Sequence, residues 1–307
     1  MRTTTDLDNL ALLGVDVGFS LRRRTTGIAW SFGGCVNVTR TYSDWDRRKP
    51  CLPADTIFDT AAIDGPLLPI TSSKLHPRSC EYLFIGGAYA KRCKPGLSHF
   101  GSGLQLRRAA GDTANQIRSV VKGSNLIAPK NQIVHGKNII EAFPNAFLGV
   151  MLDKRVYETR PRLRRGKKFD WLYREAVGAH LFDALLDRLN WKNVDLAKQL
   201  NDLDPKRYHE EAAALVCLLT AACAASAKTE IVGDAVGGWF WLPPIDIWAD
   251  WAREERLRLA SAAEKIREGS LADFFARSPL RGSGLITERR DKPSRRFSAD
   301  PLDAERH

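Results

Sequence analysis

Three short apolar runs in this chain each end in a carboxylate, and that recurrence limits the fold more than any other feature. Residues 10–17 run through Leu, Ala and Val to Asp16. Residues 56–63 end against Asp64, and residues 132–142 carry Glu141 directly after Ile139 and Ile140. Bounded runs of this length read as strands. An ionised carboxylate at the end of a buried strand is costly unless something positive satisfies it. One such acid suits a turn, as Asp64-Gly65-Pro66 does. Three suggest carboxylates meeting at the carboxyl-end crevice of a sheet, where divalent cations with oxygen ligands bind.

The remaining pattern supplies the rest of an α/β fold. Residues 25–32 and 35–42 are β-rich runs around Gly33-Gly34, which makes the first three strands an antiparallel meander. Residues 41–54 read as a loop, and the Pro-, Gly- and Ser-rich stretch 69–103 holds a short helix near 79–89. Helical patterns cover 104–122, 170–190 and 208–227; in the second, Leu181, Leu185 and Leu189 recur every four residues. The stretch leading to Lys168 reads as loop, residues 230–233 as a last short strand, and Trp239 and Trp241 beside two prolines as a packing corner. An amphipathic helix is expected over 245–277. The expected organisation is a mixed five-stranded sheet with antiparallel first hairpins, flanked by helices, over residues 1–244. A helical extension follows at 245–279, and then a charged tail at 280–307 too poor in apolar residues to fold.

Composition excludes several classes. With 44% apolar and 27% charged residues the chain is globular. Its longest nearly apolar run, 212–225, is too short to span a bilayer. Asp6 and Asp8 stand where a signal peptide is apolar, and six cysteines without CxxC or CxxH spacing argue against a zinc site or a disulfide framework. A reducing cytoplasm is the expected compartment. No repeat of solenoid length and no phosphate loop of the GxxxxGK[ST] type occurs.

Charge points to a polyanion. Lys and Arg number 47 against 36 Asp and Glu, a net of +11. Clusters fall at Arg22–Arg24, Arg47–Lys49, Lys91–Lys94 and Arg107–Arg108. The densest is 153–168, where eight Lys and Arg face only Asp153 and Glu158. Nucleic acid is the expected partner, and no membrane is.

A further acid source opens the Ala-rich helix as Tyr208-His209-Glu210-Glu211. The small residues that follow let that helix lie close to a sheet, so a first-turn acid can reach the strand carboxylates, although acids at a helix N-terminus also stabilise the helix itself. His209 adjoins the acids and is placed to orient water or a phosphate. His76, His99, His135 and His180 have no ligand spacing, and Cys217 and Cys223 read as packing residues.

Gly14-Val15-Asp16-Val17-Gly18 with Thr26-Gly27-Ile28-Ala29-Trp30 resembles the first hairpin of the ribonuclease H-like superfamily. Further segments follow in order: 62–66, 78–81, 140–144, 214–221, Gly233-Asp234, and 238–243. The ordered set resembles domain of unknown function 429, a family of predicted nucleases of that fold. The resemblance implies a two-metal-ion phosphodiester hydrolase. Asp16, Asp64, Glu141 and Glu210 would hold two Mg²⁺ or Mn²⁺ ions, with Glu211 as the other catalytic candidate on the helix. The family usually has Asp on this helix, so which Glu faces the ions stays open. Arg162, Arg164, Arg165, Lys167, Lys168, Lys91 and Lys94 are the expected phosphate contacts. The alternative is a catalytically inactive nucleic-acid-binding or assembly subunit, with the 245–277 helix as a surface for a protein partner. An actin-like phosphotransferase would need a second Gly-rich phosphate loop and an adenosine motif, and the sequence has neither.

Overall fold

The structure is a computed structural model and describes residues 6–67, 78–93, 97–123, 138–164, 166–234 and 237–268. Five strands form a mixed sheet: β1 (Leu12–Asp16), β2 (Thr26–Phe32), β3 (Cys35–Thr41), β4 (Thr60–Asp64) and β5 (Ile139–Ala142), in the order β3-β2-β1-β4-β5. β1 is antiparallel to β2 and β2 to β3, whereas β1, β4 and β5 are mutually parallel. The β2–β3 turn needs positive φ at both central residues, and Gly33 (58°) and Gly34 (78°) supply it without a Cβ penalty.

Alternation along the strands builds a core on each face of the sheet. Leu12, Ala62, Ile140 and Ala142 pack with the helix His209–Ala225. Leu13, Val15, Ile63 and Ile139 pack with Ala110, Ala114 and Ile117 of the helix Gly101–Ile117. The Ala-rich helix lies unusually close to the sheet. A Cβ on Gly14 would stand 2.3 Å from the Ala214 carbonyl oxygen, and one on Gly27 would stand 1.8 Å from that of Glu210. Glycine at these two strand positions therefore lets the first turn of the helix descend onto β1 and β2.

Several elements differ from expectation. The 170–190 segment is two helices, Lys168–Gly178 and Leu181–Leu189, broken at His180 with φ 55°. A straight helix of that length would run about 30 Å. Breaking it after Gly178, a poor helix former, lets Trp171, Leu172 and Tyr173 reach the same core as Phe182, Leu185 and Leu189. The basic stretch 153–168, expected as loop, contains a short helix, Lys154–Glu158, and before it Pro144–Met151 forms a buried helix started by proline at its first position. Val194–Asp202 is a further helix, capped by Asn193 accepting from the Leu196 N–H. The expected Trp corner is a strand, β7 (Gly238–Leu242), paired antiparallel with β6 (Glu230–Asp234) in a separate two-stranded sheet. Phe240 and Leu242 are buried, and Trp239 and Trp241 between them are half-buried.

By contacts the chain divides into two units, Met1–Leu259 and Ala260–His307. Within the first, Trp248, Trp251 and Ala252 are buried in the main core. The last helix runs Asp250–Glu268. Residues 269–277 of the expected helix, and the expected tail at 280–307, lie outside the described residues. Among the described residues no helix is long and apolar enough to cross a membrane.

Candidate active site

Strand register decides which acids meet. Asp64 pairs with Asp16 across β4–β1, Asp16 with Gly27 across β1–β2, and Gly27 with Arg40 across β2–β3. Asp64, Asp16, Gly27 and Arg40 thus form one row on the face covered by the Ala-rich helix, with strands about 4.8 Å apart. On β5 the same row is occupied by Ala142.

Asp16 and Asp64 have no hydrogen-bond or ion-pair partner among the described residues. Burial raises the Asp16 carboxyl well above its usual range, with further contributions from the negative charges of Asp64, Glu210 and Glu211. Burial likewise lifts Asp64 to about 7, with Glu141 adding to the effect. Behind them the buried thiol of Cys217 is pushed far up by burial and by both carboxylates, which keeps it protonated. These are two half-buried acids whose charges oppose each other, a state that a cation or a proton relieves.

The helix brings its acids to the other end of the row. Arg40 holds Glu211 through Nε–Oε1 at 2.9 Å and lies 3.7 Å from Glu210 Oε2. Glu211 Oε2 is buried and has no hydrogen-bond partner among the described residues. Arg40 escaped the sequence reading because a lone Arg on an alternating strand carries no local signal. Its position opposite Gly27 appears only with the register.

Glu141 is placed differently from expectation. It pairs with Ile63 rather than Asp64, which turns its side chain to the opposite face of the sheet. There Arg78 takes it in a two-pronged grip, with Nη1–Oε2 and Nη2–Oε1 both at 2.7 Å. The Arg78 Nε also donates to Glu81 Oε1 at 2.9 Å and to Ser98 Oγ at 3.1 Å. Burial alone would lower the Arg78 pKa, but the charge and hydrogen bonds of Glu141 overcome it and the net direction is up. Both Glu141 oxygens are therefore committed to a buried guanidinium. The expected group of three strand acids is reduced to Asp16 and Asp64. As placed, no three His, Cys, Asp or Glu side chains among the described residues stand close enough to enclose an ion. The pair that suits a hard cation in donor type is Asp16 and Asp64, side by side and both offering oxygen.

A cavity of about 580 Å³ opens beside Asp64, with Arg78, Glu141, Lys168, His209 and Phe240 on its walls. His209 is fixed there by Asp170, whose side chain is 2% exposed. Nδ1 lies 2.5 Å from Asp170 Oδ1, while Lys167 Nζ holds the other carboxylate oxygen at 2.9 Å. A carboxylate on Nδ1 assigns the proton to that nitrogen and leaves Nε2 to the cavity.

Of the expected phosphate contacts, Lys168 lines this cavity and Lys167 is tied to Asp170. Arg162 and Arg164 are exposed. Arg160 donates to the Lys91 carbonyl at 3.1 Å, which joins the two basic stretches on one surface. Arg165 and Lys94 lie outside the described residues. No family model matches the chain, and neither the curated proteins nor the solved structures compared with it give a match.

Proposed function

We propose that the chain is a divalent-metal-dependent nuclease of the ribonuclease H-like type, related to the domain of unknown function 429 family. One observation carries this reading: Asp16 and Asp64 stand side by side at the carboxyl ends of parallel strands, and neither has an ion-pair partner among the described residues. Asp16 and Asp64 would hold Mg²⁺ or Mn²⁺, and Glu210 and Glu211, whose charges both reach Asp16, are the candidates for a further ligand. A divalent ion there supplies a water of lowered pKa and offsets charge on the scissile phosphate. The protein's own part is positional. Lys168 and the exposed Arg162 and Arg164 hold the sugar-phosphate backbone without reading its sequence. His209, aligned by Asp170, presents Nε2 to the cavity, where it can take a water or a phosphate oxygen.

Asp16→Asn tests the reading. It keeps size and hydrogen-bonding capacity but removes the charge a cation needs. Mg²⁺- or Mn²⁺-dependent cleavage of RNA or DNA should disappear while nucleic-acid binding persists. If the unmodified protein cleaves neither polymer with either ion, the enzyme reading fails.

A second reading, a non-catalytic nucleic-acid-binding or assembly subunit, is favoured by one feature. Arg40 already sits as an internal cation on Glu210 and Glu211, leaving fewer carboxylates for a metal.

A further inference from the structure

The loop that leaves β1 immediately after Asp16 has a composition its own folding does not explain. Residues 17–25 read Val-Gly-Phe-Ser-Leu-Arg-Arg-Arg-Thr, with three arginines and no acid. Phe19 is 52% and Leu21 64% exposed. Exposed apolar side chains are ordinary on a mobile tip, but this loop is held in place. The Gly18 N–H donates to Thr26 Oγ1 and the Ser20 N–H to Thr25 Oγ1, both at 3.3 Å. Ser20 Oγ accepts from the Arg22 and Arg23 N–H groups at 3.2 and 2.9 Å. From outside the loop, Arg47 donates to the Leu21 carbonyl at 3.2 Å and the Ser43 N–H to that of Ser20 at 3.3 Å. At its base Gly18 is pinched so closely that a Cβ there would lie 2.1 Å from the Thr25 oxygen.

A fixed loop therefore displays a ring and a branched apolar side chain in water, beside three exposed guanidinium groups. A groove of about 610 Å³ runs along its inner side, lined by Phe19, Leu21, Trp45, Gln105, Arg108 and Asp112. Arg24 and Arg47 both stand over the Tyr42 ring, at 5.8 and 4.2 Å. Phe19 is three residues from Asp16, so its Cα lies within about 11 Å of the aspartate's. Rigid aromatic surface combined with dense positive charge is how proteins hold single-stranded nucleic acid, because every base has a face to stack and every phosphate a charge to pair.

We propose that this loop is a stacking platform for unpaired nucleotides, with Phe19 taking a base and Arg22, Arg23 and Arg24 the flanking phosphates. Single-stranded or frayed nucleic acid is then the form delivered to Asp16. The assignment rests on the nucleic-acid reading above, but binding tests it without requiring cleavage.

The experiment uses the full-length protein in EDTA with a 12-nucleotide single strand carrying 2-aminopurine, and with the same strand in duplex. Wild-type protein should prefer the single strand and quench its fluorescence. Phe19→Ala should weaken single-strand binding about 10-fold and change duplex binding little, while Phe19→Trp should restore it. Replacing Arg22, Arg23 and Arg24 together by Gln should reduce the salt slope by up to about 2, from about 0.7 per phosphate contact on a single strand. Equal affinity of wild type and Phe19→Ala for the single strand overturns the proposal. So does a Phe19-dependent binding to phosphatidylserine vesicles with nucleic-acid binding unchanged, which makes the loop a lipid contact. Metal-dependent cleavage that ignores Phe19 rejects this platform and keeps the nuclease. A Phe19 effect on binding without any cleavage does the reverse.

Discussion

Asp64 closes β4 and Glu141 is the last residue but one of the neighbouring parallel β5; both follow apolar residues and flank the same cavity. Their surroundings are nonetheless opposite. Glu141 is 5% exposed and has two hydrogen bonds to one guanidinium. Asp64 has no hydrogen-bond or ion-pair partner among the described residues and stands beside a second carboxylate. One residue of register separates them: Ala142, not Glu141, stands beside Asp64. A carboxylate satisfied by a buried Arg belongs to the scaffold, whereas one left beside another carboxylate holds unspent affinity for a cation. The same strand-end signal thus has two outcomes, decided by the face each side chain takes.

The comparison breaks most visibly at Arg78. Arg78→Met leaves Glu141 and Glu81 buried without their cation and should cost about 3–5 kcal/mol, read by chemical denaturation. A loss below 1 kcal/mol would mean that Glu141 is not held as described.

At the aspartates the expected effect is smaller and depends on pH. Asp64 titrates near 7 in the folded protein, against an ordinary value of 3.8. Between those values the folded state binds the extra proton, so this group's contribution to metal-free stability falls as pH rises from about 4 to about 7 and then levels off. Asp64→Asn should remove that part of the slope and leave the variant more stable than wild type at pH 8. Parallel stability–pH curves for the two proteins would show that Asp64 is not strained by its surroundings.

Arg40 sharpens the comparison with the least effect on stability. It is 37% exposed at the side chain, so Arg40→Gln should cost less than about 1 kcal/mol. By releasing Glu210 and Glu211 it should tighten Mn²⁺ binding, measured by calorimetry. Unchanged affinity would remove the helix acids from the site.

Much of the fold was legible because its signals are local. The Gly33-Gly34 turn, the apolar strands and the Ala-rich helix each follow from residues adjacent in sequence. The close approach of the Ala-rich helix to β1 and β2 was also legible in outline, since a helix of small residues opening with two glutamates suits it. The face taken by Glu141 was not, because it depends on how β5 pairs with β4, and no residue near Glu141 encodes that offset. Arg78 and Arg40 reach their partners from far along the chain or across several strands. The break at His180 was hidden by an apolar spacing that continues across it, although Gly178 marked the place. The helix after Phe143 is announced by Pro144, a good first helical residue that equally suits the end of a strand.

Cation affinity should reside in the Asp16–Asp64 pair and not in Glu141. Mn²⁺ titration followed by electron paramagnetic resonance, on wild-type protein, Asp64→Asn and Glu141→Gln, tests it directly. Asp64→Asn should weaken Mn²⁺ binding by at least about 10-fold, while folded Glu141→Gln should bind Mn²⁺ as wild type does. Equal binding by wild type and Asp64→Asn, or loss of binding in a folded Glu141→Gln, would contradict it.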